Sequence, residues 1–375
     1  MHLLCQRDIL LAAIQAADAI VPTNSTKPIL SNLLIEALED RVEIVATDTQ
    51  VGLRAVVRRI EVRAPGQAVV NARQISAILK ESQSSTVNIH LETGTDRHLM
   101  KVELSDGLYQ VPALVGESLP PISPFPTSHE TVRLMASRLD EMLNQTAFAM
   151  DKDRTSAVLS GLSLSYGNSE FILAATDGKV LCEAVERADI FNVKDRVNVV
   201  VPAGTVGHLQ RIMSAARPDT VEITIAGKLA FLRLVTLTGL HIELSSRLVE
   251  GTFPSYRAAL PSAGGSARVT FPTADLAAAV RRVALMVSQT SRGVVMQLEP
   301  GQATFTNLNY TNGSARIPVP CEYAGAPVKL GVDVKYLGDV LRVYRSDHIG
   351  IDLGRGLVMR EPDATYLIMP ISLPN

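Results

Sequence analysis

Six positions in this 375-residue chain, five of them cationic, fall at a spacing suited to holding phosphate. Arg73 and Lys80, Gly204 and Arg211, and Lys335 and Arg342 are three pairs, each seven apart, and successive pairs are offset by 131 residues. Seven residues span about two helical turns, so each pair lies along nearly one face of a helix. An apolar stripe repeats in the same register: Ile75, Val206 and Leu337 coincide, as do Ile78, Leu209 and Val340. Each helix therefore buries one side and turns cations to another, in three equivalent places. Guanidinium and ammonium groups pair with phosphate oxygens whatever the base sequence, and such pairing weakens with salt. Arg345 extends the third helix, and Arg281 and Arg282 add cations on an earlier helix of the last repeat. With no Trp, eight Tyr and eight Phe, stacking on unpaired bases is not the expected dominant mode of binding.

Catalytic chemistry finds little footing. The seven histidines (His2, His90, His98, His129, His208, His241 and His348) form no close pair at metal-ligand spacing. No Gly-rich phosphate loop followed by Lys-Ser/Thr is present, and no Gly-x-Ser-x-Gly elbow. Asp48 and Asp177, each in an Ala-Thr-Asp tripeptide, are the carboxylates most open to a catalytic reading. A Thr-Asp after an apolar strand more simply caps a turn through nearby amides, and Gly178 fits a turn needing positive φ. The cysteines, Cys5, Cys182 and Cys321, are odd in number and scattered, which points to a reducing compartment. No cofactor and no metal is expected.

The elements that must position these groups also repeat. An earlier helical pattern begins each copy, over 7–19, 137–149 and 273–287, with apolar residues at three- and four-residue spacing. Lys27 to Leu34 reads Lys-Pro-Ile-Leu-Ser-Asn-Leu-Leu, and Ser156 to Ser163 reads Ser-Ala-Val-Leu-Ser-Gly-Leu-Ser. Ala-Thr-Asp follows at Ala46 to Asp48 and Ala175 to Asp177, while the third copy is looser, with Thr311, Asn312 and Gly313. Solenoid units run to about 20–50 residues, so this longer period means three whole domains. Strand-forming runs lie at 87–91, 197–201, 221–225, 231–237 and 315–319. Breaker-rich stretches at 118–126 and 261–266 mark joints, which places domains at 1–122, 128–261 and 267–375. The expected class is α+β, mostly strands, with two helices per domain.

Net charge is −2 and the pI about 6.4, so basic surface must be local rather than general. No stretch approaches the roughly 20 apolar residues of a membrane span. Cytoplasm is the expected compartment, with no membrane partner.

Several segments together carry a family likeness over essentially the full length. They are Lys27 to Leu34, Asn-Ala-Arg at Asn71 to Arg73, Ala-Thr-Asp-Gly at Ala175 to Gly178, Leu-Val-Glu-Gly-Thr-Phe-Pro-Ser-Tyr-Arg at Leu248 to Arg257, and Tyr-Leu-Ile-Met-Pro-Ile at Tyr366 to Ile371. With these, the chain resembles the bacterial DNA polymerase III beta subunit, the sliding clamp. The resemblance implies a head-to-tail homodimer closing a six-domain ring, with sheets outside and helices lining a channel around double-stranded DNA. It implies a non-catalytic processivity factor that tethers the DNA polymerase III alpha subunit, the clamp loader and other clamp-motif clients. The DNA-binding set would be Lys27, Arg73, Lys80, Arg211, Lys335 and Arg342. A client-peptide pocket would be walled by Leu159, Thr176, Gly178, Lys179, Leu181, Pro254, Met369, Pro370 and Ile371. The dimer interface would set Tyr109 and Val111 against Leu285 and Met286 of the other copy.

The chain also departs from the family pattern. Ser156, Val180, Ala258 and Ser372 stand where clamps often carry arginine, Lys179 where histidine is frequent, and Ala259 where a larger aliphatic is common. Asn24 and Ala203 replace basic residues of some members. A pocket relying less on charge-assisted hydrogen bonds is the expectation. Two further functions fit the same residues: a divergent paralogous clamp specialised for repair or inhibitor tolerance, and a ring scaffold acting without DNA.

Overall fold

The computed structural model describes residues 1–95, 97–127, 130–192, 195–260, 267–288, 291–308 and 313–373. Among them are six α-helices: α1 (Arg7–Asp18), α2 (Ala72–Glu81), α3 (Ala136–Thr146), α4 (Ala203–Ala216), α5 (Thr273–Ala284) and α6 (Val334–Val343). The periodic patterns overran α1, α3 and α5 at their ends; Ala147–Ala149 continues α3 only as a short 3-10 turn. Each helix of the second kind starts directly after a strand. Asn71 and Asp333 cap α2 and α6 by accepting from Gln74 N (3.0 Å) and Lys335 N (2.8 Å). The equivalent cap of α4 is Pro202, which offers no side-chain acceptor. The apolar stripe is buried as the spacing requires, with Ile75, Val206 and Leu337 all in the core. Each such side chain contributes about 1.5–3 kcal/mol by leaving water.

The helices lie in one row. α2 packs on α1, α1 on α4, α4 on α3, α3 on α6 and α6 on α5. Among the described residues the antiparallel strands form sheets of fourteen, eight and four. The larger two cross domain joints by main-chain hydrogen bonding. Val51–Val57 of the first repeat pairs with Leu240–Arg247 of the second, from Leu240↔Val57 to Ser246↔Val51. Val180–Arg187 of the second pairs with Ala364–Ile368 of the third, from Val180↔Ile368 to Ala184↔Ala364. In both joints the last strand of one repeat meets the strand that follows the Ala-Thr-Asp turn of the preceding repeat. The strand run at 231–237 stops at Val235, because Thr236 turns the chain by bonding its Oγ1 to Leu240 O and Gly239 adopts φ +88°. The stretch 261–266 and the third-copy residues Thr311 and Asn312 lie outside the described residues.

Both Asp turns take the structural role. Asp48 Oδ1 accepts from Gln50 N (2.8 Å) and Val51 N (2.7 Å), and Asp177 Oδ1 from Lys179 N (2.8 Å) and Val180 N (2.9 Å). The second oxygen of each reaches the next repeat. Asp48 Oδ2 lies 3.4 Å from His208 Nε2 on α4, and Asp177 Oδ2 accepts from the Tyr336 hydroxyl on α6 at 2.5 Å. One carboxylate thus shapes a turn and latches two domains.

Burial pushes the Asp48 carboxyl up, yet hydrogen bonds from His208 and from the Val51 and Gln50 amides outweigh it and leave the group below its ordinary value. A carboxyl depressed on folding adds stability above its unfolded pKa of about 3.9 and loses it as pH falls through the folded value. Thermal unfolding followed from pH 7 to 3 should therefore show an acid-labile first joint, and Asp48→Asn should reduce the fall in Tm on acidification. An unchanged acid profile in the variant would place the acid sensitivity elsewhere.

Candidate functional site

The helix row exposes Arg73 and Lys80 on α2, Arg211 on α4 and Arg342 on α6, at matching positions along three helices. α1 lies between α2 and α4, and Asp18 at its end feels both Arg73 and Arg211. Burial raises the Asp18 carboxyl, with the two guanidiniums opposing that rise. Lys335 departs from the expected pattern. It is half-buried, its Nζ donates to Asp339 Oδ2 at 2.8 Å, and it lies over the Tyr336 ring at 5.4 Å. Asp339 also meets Arg342 at 3.3 Å, so the two cations of α6 share one carboxylate. Lys335 is therefore less free than Arg73 or Lys80, which stand exposed on α2. Lys27 is exposed just before the 3-10 turn Pro28–Ser31.

Most of the peptide-site set gathers where the second and third repeats share a sheet. Thr176 Oγ1 donates to Val180 O (2.6 Å) and accepts from Gly178 N (3.0 Å), and Gly178 takes φ +87°. Lys179 O accepts from Met369 N at 2.8 Å, and Leu181 pairs with Leu367. Met369 is 42% exposed and Pro370 is exposed, so an apolar surface stands open at the strand end. Ile371 instead packs down on its own repeat, with Ile371 N bonded to Gly331 O at 2.9 Å. Leu159 and Pro254 belong to two neighbouring segments. Their proximity shows at Gly251, where an added Cβ would meet Val158 Cγ2 at 2.7 Å. Val180, one of the atypical positions, is buried in the core and presents no side chain outward.

Sequence reasoning missed the floor beneath this surface. Leu181, Val358 and Leu367 form a small apolar cluster apart from the main core, with Tyr256 and Leu260 packed on it. Tyr256 is held by its hydroxyl donating to Glu183 Oε1 (2.7 Å), beside an Arg257–Glu183 ion pair at 3.1 Å. Burial first, then that carboxylate, pushes the Tyr256 hydroxyl well up, so it stays protonated and donating.

The residues expected at a dimer interface lie at the two ends of the row and differ in exposure. Val111 is 0% exposed and points into its own domain core beneath the Gly107–Leu114 strand. Tyr109 is exposed on that strand, and Leu108, at 60%, is the larger apolar surface there. Leu285, just past α5, is 76% exposed, and Met286 is half-buried. The Gly107–Leu114 strand pairs with its inner neighbour only at Val69↔Leu114 and Val70↔Ala113. Among the described residues, Arg316–Pro320 forms the outer edge of the four-stranded sheet.

Sequence profiles for the DNA polymerase III beta subunit match along the chain: the N-terminal domain at residues 1–122, the central domain at 133–255 and the C-terminal domain at 257–372. A "Beta sliding clamp" of Pseudomonas putida is 27% identical over 379 residues, covering 100% of both chains. The crystal structure of the DNA polymerase III subunit beta from Pseudomonas aeruginosa superposes with a TM-score of 0.86 at 26% identity, covering 100% of each. A sliding clamp from the same organism bound to griselimycin gives 0.87 at 27%, again over 100% of each.

The split between buried and exposed members of these sets has a direct consequence for stability. Leu181→Ala should cost about 2–5 kcal/mol by opening a cavity, whereas Met369→Ala and Lys80→Ala should stay within about 0.5 kcal/mol of the parent. Denaturant unfolding distinguishes them; a large loss in Met369→Ala would mean that its side chain is structural.

Proposed function

The chain belongs to the DNA polymerase III beta-subunit family, and from that membership we propose that two copies close head to tail around duplex DNA. Its function is that of a DNA sliding clamp, as its relatives' names state for them. The observation that carries the ring is the pair of open strand edges. Each joint within the chain unites the last strand of one repeat with the strand after the Asp turn of the repeat before it. Among the described residues, two strands of these kinds lack such a partner: Gly107–Leu114, the last of the first repeat, which meets its inner neighbour only at Val69↔Leu114 and Val70↔Ala113, and Arg316–Pro320 at the edge of the four-stranded sheet of the third. Pairing one with the other on a second copy repeats the same joint twice more and closes the circle. Leu108 and Tyr109 then approach Leu285 and Met286, joining apolar surface to apolar surface. The domains are taken as 1–122, 128–261 and 267–375.

Within the circle the helix row faces the duplex. Phosphates recur at about 1.7 Å of duplex axis, so cations meet a nearly uniform potential and no register is preferred. Arg73, Lys80, Arg211 and Arg342 supply the attraction, with Lys27 at the margin and Lys335 largely neutralised by Asp339. Topology holds the ring on DNA, and weak, sequence-independent contacts let it slide. An attached polymerase gains effective concentration at the primer end without any chemistry by the ring. The surface around Met369, Leu181, Thr176, Gly178 and Pro254 takes an apolar anchor from a client peptide, and Lys179 offers a cation at its rim. The clients are the polymerase III alpha subunit, the clamp loader and other carriers of the same motif, in the cytoplasm.

Loading onto nicked circular DNA with the cognate loader, followed by linearisation, tests the topological claim. Retention on the circle with release from the linear product is the expected result, and stable retention after cutting overturns it. Lys80→Glu with Arg342→Glu should shorten retention on the circle and flatten its salt dependence. A client peptide followed by anisotropy should lose about tenfold in affinity with Met369→Ala, the cost of one buried apolar anchor.

A further inference from the structure

The stretch 251–257, which leads from the second repeat to the third, lies over the sheet of the second repeat and leaves a cleft of about 430 Å³ beneath it. Leu162 and Leu164 of the strand Gly161–Gly167 point into the core, so Ser163 and Ser165 line the cleft from the opposite face. The far wall is Val197–Pro202, an edge strand that pairs with Gly161–Gly167 on one side only. Main-chain groups along a strand alternate in direction. Val200 O accepts from Val249 N at 2.9 Å on the open side, so Asn198, two residues back, also turns its N–H and C=O outward. Among the described residues no strand pairs with them there. Arg196 and Arg257 line the cleft, whereas Glu170, Glu183 and Asp195 lie outside its lining. Glu170 is 3.6 Å from Arg196, and Glu183 takes Arg257 through Nε and Nη2, which leaves further N–H groups on both guanidiniums.

The cleft adjoins the peptide surface. Ser163, Ala174 and Glu183 form one row across the sheet, and Thr176, Leu181 and Leu367 form the next row on the same face, about 7 Å away. Pro254 borders both, and Tyr256 lines the cleft while packing on the Leu181 cluster. We propose that an extended, acidic stretch of the client peptide, next to its apolar anchor, adds as a strand along the open edge at 196–199. Its main chain bonds Asn198, and its carboxylates meet Arg196 and Arg257. This rests on the reading that the surface around Met369 takes the client's anchor. An open edge is a template for an extended chain, with main-chain bonds giving affinity and alternate side chains giving specificity. Four residues span about 13 Å, and Val249 closes the edge at Val200, so the added strand is short.

Fluorescence anisotropy on the full-length protein compares three labelled peptides: a short one with a Leu-Phe anchor, and two carrying four acidic residues before or after it. One extended peptide should bind about five- to tenfold more tightly than the short one, the worth of one or two hydrogen bonds with an ion pair. Asn198→Pro removes an amide on the open side and spares the pairing with Gly161–Gly167, so it should abolish that gain and leave the short peptide's affinity unchanged. Arg196→Ser should lose the gain too, and a lysine extension should bind no better than the short peptide. Amide exchange at Asn198 in the parent should slow with the extended peptide and not with the short one, a readout that needs no variant. No gain from either extension, a gain that survives Asn198→Pro, or unchanged exchange at Asn198 overturns the proposal. Inorganic phosphate that displaces the extension while Asn198→Pro leaves it bound would mark an anion site in place of a strand, and overturns it as well. Short-peptide binding that is lost in Met369→Ala, with no gain from either extension, removes the cleft and keeps the anchor surface. An Asn198-dependent extended peptide that binds equally well in Met369→Ala keeps the cleft and removes the anchor surface.

Discussion

Main-chain hydrogen bonding across domain joints is the constraint on which the architecture rests. A strand edge presents a row of amides and carbonyls that must find partners or remain open to any extended chain. Here Val51–Val57 with Leu240–Arg247, and Val180–Arg187 with Ala364–Ile368, satisfy those groups between repeats rather than within them. Each repeat therefore completes its neighbour. The arrangement also fixes the helix row, since α1 meets α4 and α3 meets α6 at the same joints. Among the described residues, the part of Gly107–Leu114 beyond its two pairs with Val69 and Val70, and the outer edge of Arg316–Pro320, are left without a strand of another repeat.

The joints are reinforced differently. Asp48 reaches His208 across the first, and Asp177 reaches Tyr336 across the second. The second also carries an ion network in which Arg138 meets Glu186, Glu141 and Asp363, while Arg345 meets Glu141, Glu361 and Asp363. Desolvation opposes the charge on Arg138, yet these carboxylates hold its guanidinium protonated. Cations at Arg138 and Arg345 are thus spent on architecture, and cations at Arg73, Lys80, Arg211 and Arg342 remain on the helix row. That division explains how a chain of net charge −2 can still present a locally positive face.

Much of this was legible in the sequence because helices and turns are local. The offset of 131 residues aligned Arg73, Gly204 and Lys335, which the structure places in the first turns of their helices. The Asp48 and Asp177 turns followed from side-chain hydrogen bonding within four residues. The pairing of Lys335 with Asp339 is local too, since a spacing of four favours an ion pair on one helix face. Val111 is buried while Tyr109, two positions earlier on the same strand face, is exposed, a difference set by what covers each end of the strand and not by its period. The sheet joints were not legible at all. Pairing of Val57 with Leu240 depends on how two repeats dock, and no local pattern encodes it. The same holds for Leu367 and Val358, which meet Leu181 only across such a joint.

Particle mass and shape in solution test the central claim most directly. Mass photometry from nanomolar to micromolar concentration, with electron-microscopic images of the same sample, would measure both. The account predicts twice the 40.4 kDa chain mass and a closed ring with a central hole. A single-chain arc at micromolar protein, or a two-chain particle joined through the sheet faces with no hole, would contradict it.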